Sequence, residues 1–179
     1  MQATETKLQG CFLLEPAIFR DDRGYFFESY NQQKFEAAIG QKVDFIQDNQ
    51  AFSTYGVLRG LHFQTGDFAQ AKLVQVLQGK VLDIAVDIRK DSDTYGEYVA
   101  AELSDENKHQ LFIPRGFAHA YLVLSETALF FYKVDNKYSK EHESGIIWND
   151  KDLAIDWGMP EADMKLSEKD KELKSFAEL

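Results

Sequence analysis

Short runs of alternating apolar and polar residues, separated by glycines, constrain the fold of this chain most strongly. In the stretch 81–88, Leu82, Ile84, Val86 and Ile88 share one parity, and Asp83 and Asp87 lie on the other. The stretch 128–134 alternates in the same way and carries Tyr132 on its apolar parity. This period of two is typical of β-strands. Many short strands with few helices predict an all-β sandwich, jelly roll or barrel, whose interior can hold a ligand.

Two helices are predicted beside the strands. One begins after Asn31, a favourable N-cap, and ends at Gly40. The other begins at Ser167 and runs toward the C-terminus, where the sequence 167–170 resembles a capping box. No low-complexity linker or internal repeat interrupts the chain, so we expect a single domain over residues 1–179.

Charge and composition narrow the classes of partner. The formal net charge is −10 at pH 7 and no run of Lys or Arg forms a basic face, so no nucleic-acid partner is expected. The single cysteine, Cys11, excludes an internal disulfide and a cysteine-based zinc site. The first ten residues are polar, and no apolar stretch approaches the roughly 20 residues that span a bilayer. We therefore expect a cytoplasmic protein without a membrane partner.

Four short strings carry groups suited to proton transfer. Two of them contain histidines, His62 in Arg59-Gly60-Leu61-His62-Phe63-Gln64 and His119 in Pro114-Arg115-Gly116-Phe117-Ala118-His119. The others contain Lys72 and Tyr132. A base, an ammonium and a phenol can move a proton to and from a carbon next to a carbonyl. Taken singly, each has a structural reading: a core histidine, a solvated lysine, or a core aromatic with its hydroxyl bonded.

A metal site is the main alternative for the histidines. The spacing of Pro114, Gly116 and His119 resembles the second half-motif of the cupins, which often hold a metal. The corresponding first half-motif reads His62-Phe63-Gln64 and lacks a second histidine. A catalytic site needs about three protein ligands, and at most two can be assembled here. We expect no metal.

The order of the motifs along the chain resembles one family, the dTDP-4-dehydrorhamnose 3,5-epimerases. The resemblance covers nearly the whole sequence and rests on six strings: Asp22-Arg23-Gly24-x-Phe26, Gln47-Asp48-Asn49, residues 56–64, Gln70-Ala71-Lys72-Leu73-Val74, Gly116-Phe117-Ala118-His119 and Leu166-Ser167-Glu168-Lys169-Asp170. It implies a double-stranded β-helix, or cupin jelly roll, with short flanking helices. It also implies a homodimer with exchanged N-terminal strands, no cofactor, and a dTDP-4-keto-6-deoxyhexose substrate.

The resemblance implies roles for individual residues. His62 would be the base, Lys72 would stabilise the enolate, Tyr132 would be the acid on the opposite face, and Asp170 would orient His62. From the residues alone Asp170 could equally be a helix-capping residue, and Asp83 is the alternative orienting carboxylate. The residues implied to bind the substrate are Arg23, Glu28, Gln47, Asn49, Arg59, His119, Tyr138 (stacked on thymine), Glu143 and Lys169.

Two departures from the family pattern leave the extent of the reaction open. Residues 65–69 read Thr-Gly-Asp-Phe-Ala where a proline-bearing turn is expected, and Ala120 replaces the usual glycine and is expected to add a methyl group beside the pocket. A C3-only epimerase of a related dTDP-4-keto-6-deoxysugar is therefore an alternative. So are a metal-dependent cupin, which metal analysis would reveal, and a non-catalytic nucleotide-sugar binding module, in which His62→Ala would leave binding unchanged.

Overall fold

The computed structural model describes residues 1–179 and contains two main antiparallel sheets. Strands are numbered along the chain. The first sheet has the spatial order β1-β2-β10-β7-β12-β5, with the bounds β1 Gln2–Glu5, β2 Phe12–Glu15, β5 Gln47–Thr54, β7 Lys72–Gln78, β10 Gln110–Ile113 and β12 Thr127–Val134. The second has the order β13-β6-β11-β8-β9, with the bounds β6 Leu58–Gln64, β8 Lys80–Asp87, β9 Tyr98–Ser104, β11 Phe117–Val123 and β13 Glu143–Gly145.

The connections between these strands define the fold. From β5 to β13 the chain changes sheet at every step except the one from β8 to β9. This is the winding of a double-stranded β-helix, so the predicted cupin jelly roll is confirmed. A separate hairpin of β3 (Ile18–Asp21) and β4 (Gly24–Phe27) pairs with neither sheet.

The core has an inner and an outer part. Between the sheets, Val74 and Phe130 of the first sheet pack in one cluster with Ala85 and Tyr121 of the second. The outer face of the second sheet is covered by the C-terminal part of the chain, including Trp148 and Trp157. Strand β8 is therefore covered on both faces, and the parity that carries Asp83 and Asp87 is the inner one: both side chains are fully buried.

The first predicted helix is confirmed and the second is much shorter than expected. Helix α1 spans Gln32–Ile39 between Asn31 and Gly40, and Gly40 has φ 73°. Helix α2 spans only Glu168–Lys171. The residues after α2 instead pair with the residues that follow β13: the amide of Ile147 donates to the carbonyl oxygen of Lys174 at 2.8 Å. Tertiary pairing ends α2 after one turn.

None of the helices is both long and apolar enough to cross a lipid bilayer.

Candidate active site

A cavity of about 470 Å³ opens between the two sheets. It is lined by residues of β5, β6, β7, β11 and β12 and by the segment that precedes and begins α2. The lining residues are Ala51, Val57, Leu58, Arg59, His62, Lys72, His119, Tyr121, Phe130, Tyr132, Lys165, Leu166, Ser167, Lys169 and Asp170. The predicted base, ammonium, acid and orienting carboxylate thus share one cavity.

His62 lies on β6 with one nitrogen held by a carboxylate. Its Nε2 is 2.5 Å from Oδ1 of Asp170, which α2 brings across 108 residues of sequence. When Asp170 accepts the Nε2 hydrogen, Nδ1 keeps its lone pair and can accept a proton. Ser167 accepts a hydrogen bond from the Asp170 amide at 3.1 Å, but the Asp170 carboxylate binds His62, so only half of the predicted capping box forms.

The charge on Asp170 is maintained despite its burial. Burial alone would raise the pKa of the Asp170 carboxyl, but the hydrogen bond from His62, with a further one from Ser167, holds that pKa below its ordinary value. The carboxylate is therefore ionised at neutral pH and can both orient the imidazole and stabilise its protonated form.

A second histidine–aspartate pair lies beside the first. His119 on β11 is directly opposite His62 in the strand register, and its Nε2 is 3.0 Å from both carboxylate oxygens of Asp83. Asp83 therefore orients His119 and not His62, which decides against the alternative left open by the sequence. Burial lowers the pKa of His119, and the neighbouring charges of Lys72 and His62 act in the same direction.

Lys72 and Tyr132 lie on the opposite sheet from the histidines. Lys72 on β7 lies opposite Val134 of β12. Tyr132 is two residues before Val134 on β12, so the side chains of Lys72 and Tyr132 share the inner face. Burial lowers the pKa of Lys72 to about 8, and Asp83 and Glu143 oppose that shift. Burial raises the pKa of the Tyr132 phenol, so it is protonated at neutral pH.

Several predicted binding residues lie near the cavity but not all in its wall. Lys169 lies in the wall and binds Glu143, with Nζ 2.5 Å from Oε2. The Tyr138 hydroxyl donates to the same carboxylate at 3.0 Å. Burial would raise the pKa of Glu143, but its hydrogen bonds from Lys169 and Tyr138 lower it. These three side chains form one hydrogen-bonded group.

Four other predicted binding residues lie outside the cavity wall of this chain. Arg23, at the tip of the β3–β4 hairpin, pairs with Asp21 and has a side chain 90% exposed. Glu28 binds Lys34 at 2.7 Å. Gln47 and Asn49 lie on β5 and bind each other at 2.8 Å. Their roles in binding stay predictions.

Sequence reasoning missed Tyr121 and Ser53. Tyr121 lies in the cavity wall, and it stands two residues after His119 on a strand, so their common parity could have indicated it. Ser53 lies behind the wall and contacts Arg59 and Tyr121. A single serine in a strand has no signal of this kind.

The two departures from the family pattern have different consequences. Residues Gly66–Phe68 form a short 3-10 helix, and Phe68 stacks on His142 with 4.2 Å between ring centroids. The expectation that Ala120 adds a methyl group beside the pocket is wrong. Strand alternation turns Ala120 away from His119 and into the outer core, where it packs near Gly60.

The donor set of the cavity does not suit a metal ion. No group of three or more His, Cys, Asp or Glu side chains is placed to share one.

The arrangement defines a class of enzyme. An imidazole with its carboxylate faces an ammonium and a phenol across a cavity within a cupin fold, as in an isomerase that moves protons at carbons beside a carbonyl. The family model described as dTDP-4-dehydrorhamnose 3,5-epimerase matches residues 5–178. The chain belongs to that family.

Individual relatives agree with the family match. The chain is 52% identical over 170 residues to a dTDP-4-dehydrorhamnose 3,5-epimerase of Shigella flexneri, covering 95% of this chain and 93% of the relative. A crystal structure of the enzyme from Elizabethkingia anophelis is similar with a TM-score of 0.96 and 54% identity, covering 99% of this chain and 97% of the other.

Two further solved structures bear on the substrate. A 3,5-epimerase of Legionella pneumophila in complex with dTDP-4-keto-L-rhamnose is similar with a TM-score of 0.94 and 44% identity, covering 98% of this chain and 93% of that one. A 3′-monoepimerase of Streptomyces bikiniensis in complex with dTDP-quinovose is similar with a TM-score of 0.88 and 29% identity, covering 99% and 88%.

Proposed function

We infer that the protein inverts C3 and C5 of dTDP-4-dehydro-6-deoxy-D-glucose and so forms dTDP-4-dehydro-L-rhamnose. The observation that carries this inference is the opposition of the His62–Asp170 pair on one side of the cavity to Lys72 and Tyr132 on the other sheet. Two relatives that are 52% identical to this chain are named dTDP-4-dehydrorhamnose 3,5-epimerase.

The reaction proceeds through an enolate at each centre. Nδ1 of His62 removes the proton from the carbon beside the C4 ketone, and the C–H electron pair becomes the enolate whose negative charge lies on O4. The Lys72 ammonium stabilises that charge in a poorly hydrated cavity. The Tyr132 hydroxyl then donates a proton to the opposite face of the carbon, and the configuration is inverted.

The enzyme returns to its starting state by exchange with water. After one inversion His62 carries an extra proton and Tyr132 lacks one. His62 releases its proton to solvent and the phenolate takes one up. Because burial raises the pKa of Tyr132, reprotonation is favourable at neutral pH.

The charge of the cavity wall suits a nucleoside-diphosphate sugar. The wall contains the cations Arg59, Lys72, Lys165 and Lys169, and Asp170 is its one acidic residue. Although the chain as a whole carries −10, this surface attracts an anion. Arg59 and Lys169 would contact the diphosphate, His119 the sugar, and Tyr138 the thymine ring, with Glu143 releasing Lys169 to the phosphate.

The proposed homodimer gives a role to Arg23 and Glu28, two predicted binding residues that lie outside the cavity wall. In the chain by itself the β3–β4 hairpin pairs with no other strand, and Phe19 and Phe26 on it are 65% and 70% exposed. A homodimer in which this N-terminal hairpin packs on the partner would cover both rings. It would also carry Arg23 and Glu28 toward a second cavity.

The proposed location and domain organisation are those expected from the sequence. We propose a cytoplasmic enzyme with one cupin-like domain over residues 1–179. The C-terminal segment acts as part of that domain because it supplies Asp170 and Lys169 to the cavity.

The test is the configuration of the product. The protein is incubated with dTDP-4-dehydro-6-deoxy-D-glucose, and the configuration at C3 and C5 is read by NMR. Inversion at both centres is expected. Inversion at C3 alone would favour the alternative of a 3-epimerase, in keeping with the similar 3′-monoepimerase, and no inversion would refute an epimerase acting on this substrate.

A further inference from the structure

Arg59 lies in the cavity wall without a carboxylate partner, unlike three of the other four arginines of the chain. Arg23, Arg89 and Arg115 each bind an aspartate within 4.0 Å. Arg59 forms no such ion pair and is the one arginine in the cavity wall. Its positive charge is therefore available to an anionic ligand.

Ser53 holds one edge of the Arg59 guanidinium. Nε of Arg59 donates to the Ser53 hydroxyl oxygen at 3.1 Å, and Nη2 donates to the carbonyl oxygen of Phe52 at 3.4 Å. Ser53 is 4% exposed and belongs to β5 of the first sheet, whereas Arg59 belongs to β6 of the second. The hydrogen bond thus connects the two sheets at the cavity.

Tyr121 is the second partner of Ser53. It lies directly opposite Arg59 in the strand register, and its hydroxyl is 3.4 Å from the Ser53 oxygen. Its ring stacks on Phe130 with a centroid distance of 4.1 Å and an interplanar angle of 13°. Since the Ser53 oxygen accepts from Arg59, its own hydrogen can be donated to Tyr121, which is fixed by that stack. Ser53 is therefore held in a defined orientation.

We propose that Ser53 is a positioning residue that sets the Arg59 guanidinium for the diphosphate of the nucleotide. With Nε held by serine, the guanidinium plane is fixed and a terminal nitrogen, Nη1, is free to donate to a phosphate oxygen. This inference rests on the proposed function, because it assumes a nucleoside-diphosphate substrate. It assigns Ser53 to binding of the nucleotide and not to proton transfer.

The test compares Ser53→Ala with a matched buried serine. Ser104 is 2% exposed, accepts from the Asn107 amide at 3.1 Å and lies outside the cavity wall, so Ser104→Ala is the control. Ser53→Ala should raise KM for the keto sugar and Kd for dTDP about tenfold, the scale of one lost hydrogen bond to a charged group, with kcat within about twofold. Ser104→Ala should change neither constant.

A double-mutant cycle decides whether Ser53 acts through Arg59. In an Arg59→Lys background the Ser53→Ala change should raise the Kd of dTDP by less than about twofold, because the group that serine positions is gone. An equal rise in both backgrounds, an unchanged Kd, or a fall in kcat alone would overturn the proposal. Ser53→Cys, which preserves volume with a weaker acceptor, gives the same readout should the alanine variant fold poorly.

The same measurements separate this inference from the proposed function. Wild-type protein that binds dTDP without converting the keto sugar would refute the proposed reaction. The double-mutant cycle on the Kd of dTDP would still test whether Ser53 positions Arg59. Wild-type protein that converts the sugar while Ser53→Ala binds dTDP normally would refute the role of Ser53 alone.

Discussion

The cavity contains two histidine–aspartate pairs that are chemically alike and differently placed. The His62 side chain is 31% exposed, and its aspartate comes from α2 at the far end of the chain. The His119 side chain is 8% exposed, and its aspartate is fully buried on the neighbouring strand β8. Both histidines bind the carboxylate through Nε2.

In the proposed mechanism only His62 acts as the base, although both histidines have a carboxylate partner. Burial lowers the pKa of His119 and favours its neutral form, which suits a group that makes a hydrogen bond to the substrate. His62 is more open to the cavity and to exchange with water. The second pair also affects a residue of the opposite sheet, because Asp83 raises the pKa of Lys72 against the effect of burial.

Replacing the histidines should have the largest effect and should separate the pairs. We expect His62→Ala to lower kcat by at least about 10²-fold, the usual contribution of a general base, and to abolish hydrogen exchange at both C3 and C5. His119→Ala should mainly raise KM. Steady-state kinetics on dTDP-4-dehydro-6-deoxy-D-glucose measure both. Equal losses of kcat in the two variants would contradict the division of roles.

Replacing the aspartate of the first pair should have the next largest effect. Asp170→Asn removes the charge that stabilises the imidazolium, so kcat should fall by about 10²-fold or more with little change in KM. Glu168→Gln is the control, because Glu168 is on the same helix with a side chain 85% exposed. A similar loss in both variants would mean that α2 itself, and not the Asp170 charge, is responsible.

The pH dependence distinguishes the aspartate of the second pair. Because the pKa of Lys72 in the free protein is lowered to about 8, the ammonium is lost as the pH rises through that value, and kcat/KM should fall. Asp83→Asn removes a negative charge that raises this pKa, so the alkaline limb of the pH–rate profile should move to lower pH. Asp170→Asn should leave the limb in place. An alkaline limb that moves equally in both variants would contradict the claim that Asp83, and not Asp170, sets the pKa of Lys72.

The smallest effect should come from the residue after His119. Ala120 faces the outer core, so Ala120→Gly should change kcat/KM by less than about twofold. It should lower the free energy of unfolding by about 1 kcal/mol, because glycine is more flexible in the unfolded chain and leaves a small cavity. Urea denaturation measures the stability. A large change in kcat/KM would indicate that the methyl group affects the cavity after all.

Much of the fold could be predicted from local pattern. The alternation around Asp83 and Tyr132 identified the strands and which side chains share a face, but not that the face of Asp83 is the inner one. Asn31 and Gly40 marked the ends of α1, because capping is a local interaction. The length of α2 could not be predicted, since the pairing of Lys174 with Ile147 that ends it joins distant parts of the chain.

For the same reason, some residues of the site could be predicted from the sequence and others could not. His62, Lys72 and Tyr132 stood out as polar groups in apolar strands. The contact of Asp170 with His62 crosses 108 residues, so only the family resemblance suggested it. Asp83 stayed the runner-up until the structure showed that it binds His119. Ser53 is a neutral residue without a motif, and its contact with Arg59 depends on how the two sheets face each other.

The most direct test of the account is deuterium incorporation by Tyr132→Phe in deuterium oxide, analysed by mass spectrometry and NMR. Wild-type protein should place deuterium at both C3 and C5 of the sugar with inversion. Without its phenol the variant should still lose protons to His62 and take up deuterium, but with inversion reduced, most of all at C5. A variant that inverts both centres at the wild-type rate would contradict the claim that base and acid face each other from opposite sheets.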